Sequence, residues 1–130
     1  MDPIFLSVDE VVRLHRDVIE RYGGSHGVRD LGLLESAVAV PQAAFGGQYL
    51  HRDLFEMGAA YLFHIAQNHP FIDGNKRIAA MAAFVFLDTN GVEITADETA
   101  FEEMTMAVAD GKADKATVAD FFRRRSTFNG

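Results

Sequence analysis

The chain contains no cysteine. Neither a disulfide nor a thiolate metal centre can form, a composition that fits a reducing compartment. It also lacks any run of about 18 apolar residues, the length a membrane-spanning helix needs. The opening MDPIFLSVDE does not show the basic-then-apolar order of an export signal, so a cytoplasmic protein is expected. Internal repeats, low-complexity tracts and linkers are absent as well. Positive charge is scarce, with 12 Lys and Arg against 19 Asp and Glu and a net charge of −7. That argues against broad nucleic-acid or membrane binding but leaves room for a local basic pocket. Arg123-Arg124-Arg125 is better read as complementing a helix C-terminus than as a nucleic-acid patch. No His-Glu-x-x-His motif occurs, and His15, His26, His51 and His64 show no metal-ligand spacing. These four are expected to be structural or surface residues.

What remains is an ordinary single domain, residues 1–130, with 48% apolar residues and 11 Phe to build a core. Ser7-Val8-Asp9-Glu10 is a capping box, followed by an apolar stripe through Val11, His15, Val18 and Ile19 as far as Tyr22. Gly23-Gly24 ends that helix. Asp30 caps a short helix over Leu31 to Ala39, which Pro41 stops. Residues 41–52 carry Gly46-Gly47 and predict an exposed loop or short hairpin. A third helix is expected over Asp53 to Asn68, and a fourth from Lys76 to Asp88. The fourth is apolar on nearly every side and is predicted to be the buried centre. Asn90-Gly91 ends it. Val92 to Thr95 predicts a brief strand, Asp97 caps a helix to Ala109, and the last helix is expected over Thr117 to Arg125.

Between the third and fourth helices lies His69-Pro70-Phe71-Ile72-Asp73-Gly74-Asn75-Lys76-Arg77. The first turn of the following helix has free backbone N–H groups and partial positive charge, which suits an anion. Gly74 lets a ligand approach the backbone, and Asn75, Lys76 and Arg77 stand where phosphate oxygens would lie. Asp73 is the candidate ligand for a Mg²⁺ that bridges phosphates. His69 is the candidate general base for an attacking hydroxyl. Each type alone has a bland reading: Asp-Gly-Asn is an ordinary turn, Lys-Arg a solvated pair, and Phe71 a core plug. Their convergence beside a helix N-terminus points to phosphoryl or nucleotidyl transfer from a nucleoside triphosphate.

His-Pro-Phe-x-Asp-Gly-Asn-Lys-Arg resembles the signature of the Fic/Doc family. Arg21-Tyr22-Gly23-Gly24, the stretch Arg29-Asp30-x-Gly32-Leu33-Leu34-Glu35-Ser36-Ala37, and Phe86-Leu87-x-x-Asn90-Gly91 resemble its death-on-curing (Doc) branch. The resemblance spans roughly Val8 to Arg125. It implies an all-α bundle around the motif loop and a buried central helix, with room for a β-hairpin flap, and it implies ATP and Mg²⁺. Most Fic proteins transfer AMP, whereas Doc-like toxins phosphorylate a threonine of elongation factor Tu and stop translation. AMP-transferring members usually have Gly where this chain has Lys76, and a second Arg where it has Ala80. Both departures favour the kinase. Gly74 and Pro70, in contrast, depart from some Doc toxins, so AMP transfer stays open, as does a catalytically silent binding module. Arg21 stands in a segment that reaches the active site in Doc-like proteins; a charge complementing the helix dipole is the alternative. Self-inhibiting Fic proteins carry Ser/Thr-x-x-x-Glu-Gly/Asn. The nearest match here, Thr89 to Glu93, is followed by Ile94. The resemblance therefore implies control in trans, by an antitoxin of the prevent-host-death type.

Overall fold

A computed structural model describes residues 2–129. Six helices carry the chain: α1 (Val8–Tyr22), α2 (Leu31–Ala39), α3 (Leu54–Asn68), α4 (Asn75–Thr89), α5 (Glu98–Ala109) and α6 (Lys115–Arg124). One 3₁₀ turn, Val40–Gln42, follows α2. Two antiparallel pairs complete the molecule. β1 (Ala44–Phe45) pairs with β2 (Gln48–Tyr49), and β3 (Val92–Ile94) pairs with β4 (Ser126–Phe128). The all-α class and the hairpin are thus as expected.

Short-range chemistry explains most boundaries. Ser7 and Glu10 close a reciprocal capping box at α1. The carboxylates of Asp30, Asp53 and Asp97 each accept the backbone N–H three residues on, at α2, α3 and α5. The last helix departs from expectation. It begins at Lys115 rather than Thr117, because the Asp114 carboxylate accepts from the Thr117 N–H. The strand β4 is a second departure from the sequence-based expectation. Three residues of weak pattern become a strand only because Val92 to Ile94 offers a free edge.

The core centres on α3 packed along α4. On α3, Tyr61, Leu62 and Ile65 are fully buried; on α4, Ile78, Ala82, Phe86 and Leu87 are. Gly58 makes this approach possible, since a methyl group there would stand 3.0 Å from the Leu87 side chain. The Tyr61 hydroxyl accepts the Leu6 N–H at 2.9 Å, and burial pushes its pKa up to about 12. Asn90 grips Ile4 through both its amide ends, tying the N-terminal segment to the end of α4. One stripe of α4 stays open, with Phe84 43% exposed.

A polar hub joins α6 to α3. Lys115 Nζ lies 3.0 Å from Nε2 of His51 and 3.0 Å from Nε2 of His64. Burial, then the Lys115 charge, then His51 depress the His64 pKa from 6.5 to about 4. As pH falls below about 6.5, the unfolded chain protonates this histidine first, so the folded state loses stability until the pH nears 4. The urea midpoint is expected to drop through that window. In His64→Gln the drop should be visibly shallower. An unchanged pH profile in the variant would show that His64 carries none of it.

Candidate active site

The loop after α3 is held by the segment after α1. The N–H groups of Arg29 and Asp30 both donate to the Pro70 carbonyl, and the Ile72 N–H donates to the Gly27 carbonyl. Val28 and Phe71 form an antiparallel bridge. Arg29 also reaches across with its side chain, donating Nε to the His69 carbonyl at 2.7 Å and Nη2 to that of Asn68 at 2.9 Å. Those carbonyls end α3 and lack helical partners, so a guanidinium satisfies them and complements the dipole. His69 itself caps α3 in the left-handed region, φ 47° and ψ 54°. It is the one non-glycine residue with positive φ among those described. Such backbone costs on the order of 1–3 kcal/mol and persists where its surroundings impose it. Here the Arg29 clamp imposes it, and the exposed imidazole is set at the mouth of the loop.

Asp73 is fixed at three points. Its Oδ2 accepts the Ser25 N–H at 3.1 Å and its Oδ1 the Gly74 N–H at 2.8 Å. Its backbone carbonyl accepts His15 Nε2–H at 2.8 Å. The His15 ring is buried and stacks 3.8 Å from the Phe71 ring at an 8° angle. Burial lowers its pKa, against the hydrogen bond to Asp73. A neutral ring with its proton on Nε2 satisfies that geometry. Each carboxylate oxygen of Asp73 keeps lone pairs beyond these bonds.

Asn75 is used differently from what its position in the motif suggests. Its Oδ1 accepts the Phe71 N–H and its Nδ2 donates to the Phe71 carbonyl, both at 3.0 Å. What Asn75 offers an anion is therefore its backbone N–H. Gly74, at φ 73°, is the N-cap of α4 and gives no side-chain cap. The first intrahelical bond of α4 runs from the Ile78 N–H to the Gly74 carbonyl. The first-turn N–H groups of Asn75, Lys76 and Arg77 are left for a ligand. Lys76 and Arg77 are exposed, and the Arg77 guanidinium lies 4.0 Å over the Tyr22 ring. Arg21, on the last turn of α1, is exposed and makes no hydrogen bond or ion pair among the described residues.

No group of three or more His, Asp and Glu side chains among the described residues could hold a metal ion by itself. A magnesium ion carried by phosphates needs less, because it keeps several waters and takes one or two carboxylates. Asp73, prealigned beside an open helix end, fits that demand. The sequence points to no site role for Ser25 or the Arg29 side chain, and to a structural one for His15, which is buried as expected. Arg29 stood inside a recognisable segment, and His15 was a polar residue on an apolar stripe, which was a signal. Ser25 acts through its backbone and left none.

From α1 and α4 to α5 runs an apolar groove of about 590 Å³. Val18, Met81, Phe84 and Phe101 line it, Glu98 and Glu102 edge one wall, and Lys76 and Arg77 close the end nearest the loop.

Two substitutions separate loop geometry from fold. Asn75→Ala strands the Phe71 N–H and carbonyl and should cost roughly 1–3 kcal/mol, read by urea unfolding. Gly24→Ala places a methyl group 2.7 Å from Asp73 Oδ2 at a φ of +115°. It should move the Asp73 carboxylate, seen as an altered Gly74 amide resonance, while the α3–α4 core signals stay in place.

The Fic/DOC family matches residues 5–87. The chain is 38% identical over 119 residues to "Protein kinase doc" of Escherichia phage P1, covering 92% of this chain and 93% of that one. It is 49% identical over 76 residues to "Toxin Doc" of Mycolicibacterium smegmatis, covering 58% of each. With the motif loop, its clamp and the central helix pair inside the matched stretch, the chain belongs to the Fic/DOC family.

Proposed function

We propose that this protein is a Doc-type toxin, a kinase that moves the γ-phosphate of ATP to a Ser or Thr hydroxyl of a protein. The observation that carries the reading is the uncapped first turn of α4, flanked by the prealigned Asp73 carboxylate and by Lys76. The triphosphate lies against the first-turn N–H groups, with Lys76 and Arg77 as cationic partners. Asp73 would hold Mg²⁺, which when bound would offset charge on the phosphates. His69 takes the proton of the incoming hydroxyl, the oxygen bonds to the γ-phosphorus, and the bond to the β-phosphate oxygen breaks to release ADP. Similarity across nearly the whole length of a relative named a protein kinase supports phosphate over AMP transfer. Elongation factor Tu is the proposed acceptor on family resemblance.

Label from γ-³²P-ATP should enter protein and label from α-³²P-ATP should not; the reverse would make the enzyme an AMP transferase. His69→Ala and Asp73→Ala should remain folded and lose transfer, the former by about 10²–10⁴-fold as expected for a lost general base. Intact-mass measurement of elongation factor Tu after incubation checks the acceptor, where a gain of one phosphate is expected.

Control in trans fits the groove. An antitoxin segment of the prevent-host-death type folds there as a helix along the Val18, Met81 and Phe84 surface. It reaches Lys76 and Arg77 and so covers the phosphate end, and its folding costs a few kcal/mol of the interaction energy. Expressed alone, the wild-type chain should arrest growth while His69→Ala is tolerated. Equal tolerance of both would sink the toxin reading.

A further inference from the structure

The hub on the far side of α3 has no part in the chemistry above. Lys115 is the first residue of α6, His64 sits on α3, and His51 lies just before α3. The Lys115 ammonium donates one N–H to each Nε2 and has no third partner among the described residues. Both rings must then carry their proton on Nδ1, and that of His51 is buried without a partner. Two imidazole lone pairs are thus aimed at one amine. A cleft of about 330 Å³ opens onto it, walled by Arg52, Glu56, Ala116 and Asp120. Its arginines are already paired, Arg52 with Glu56 and Arg123 with Asp53 and Asp120.

An exposed lysine is unreactive at neutral pH because its nitrogen is protonated. Lys115 differs in two ways. Burial lowers its pKa, with Glu56 opposing, and two imidazole nitrogens stand within hydrogen-bond reach of its protons. The chain has two other lysines, Lys76 and Lys112, both exposed. Neither has a side-chain hydrogen bond among the described residues.

We propose that Lys115 is a modification site, acylated on Nζ by small acyl phosphates, with His51 as its proton acceptor and His64 as the second ring that orients the amine. The His51 ring takes a proton from the ammonium and frees the nitrogen lone pair. Nζ then bonds to the acyl carbonyl carbon, the carbon–oxygen bond to phosphate breaks, and inorganic phosphate leaves with the electron pair. The departing phosphate takes the next proton, and the third stays on the amide. The product has lost its charge and keeps a single N–H, so it can hold at most one of the two rings. Acylation therefore loosens the tie between α6 and α3.

The test uses the intact folded chain and acetyl phosphate, with acetylation of Lys115 and Lys112 followed by peptide mass spectrometry. Lys115 should react at least roughly tenfold faster than Lys112, a smaller margin than the about 10²–10⁴-fold of a fully developed general base. In denaturing urea the two rates should converge. His51→Gln and His64→Gln, which keep a polar side chain but no base, should each cut the advantage. A Lys115 rate no greater than that of Lys112 overturns the proposal. So does an advantage that persists in urea, or one unchanged in glutamine variants with a native circular dichroism spectrum. A variant that does not fold leaves the comparison of folded wild type with urea to decide.

Discussion

The Pro70 carbonyl accepts the N–H groups of Arg29 and Asp30, and the Gly27 carbonyl accepts that of Ile72. This short pairing of the segment after α1 with the loop after α3 underlies the site. It satisfies backbone groups that a bare loop would leave to water. It brings Arg29 to the end of α3, where the guanidinium holds His69 in its left-handed conformation. It also brings the Ser25 N–H to the Asp73 carboxylate. The proposed base and the proposed metal ligand are thus set by one contact between segments whose bonded residues stand 48 and 40 positions apart.

The helix that follows is deliberately unfinished at its start. Four other helices use an Asp carboxylate as N-cap, and α1 uses Ser7. Before α4 stands Gly74, which offers no side chain. Glycine in place of a Ser- or Asp-type cap costs only roughly a few tenths of a kcal/mol, so the end is left open to a ligand at little expense of stability. The neighbouring Asn75 spends its amide on Phe71, which stiffens the loop without blocking the first-turn N–H groups. Phe71 in turn is buried and stacked on His15, so the loop is anchored from both α1 and α4. Burial elsewhere offsets local cost, as is usual at sites that hold strained backbone.

Much of this was legible in the chain itself. Asp30, Asp53 and Asp97 each preceded an apolar-periodic stretch, and each caps a helix in the structure. The glycines at 23, 46, 47, 74 and 91 marked breaks and all take positive φ. The motif loop announced its residue types. Its internal bonding was not announced: an asparagine in a Gly-Asn-Lys turn reads equally well as a ligand or a brace. The helix α6 starts two residues before Thr117 because the Asp114 carboxylate caps it. The strand β4 had no periodicity of its own and exists through its partner.

By itself the sequence determined the helices, their caps, the apolar faces and the group of polar types beside one helix start. Those depend on neighbours within about four positions along the chain, where geometry is nearly set by covalent connection. Tertiary structure alone decided which groups meet. It placed His15 under Asp73, Arg29 over the end of α3, Lys115 between two imidazoles, and the open stripe of α4 against α5. A polar side chain's energy depends on the partner it finds after burial, and that partner stands far off in sequence.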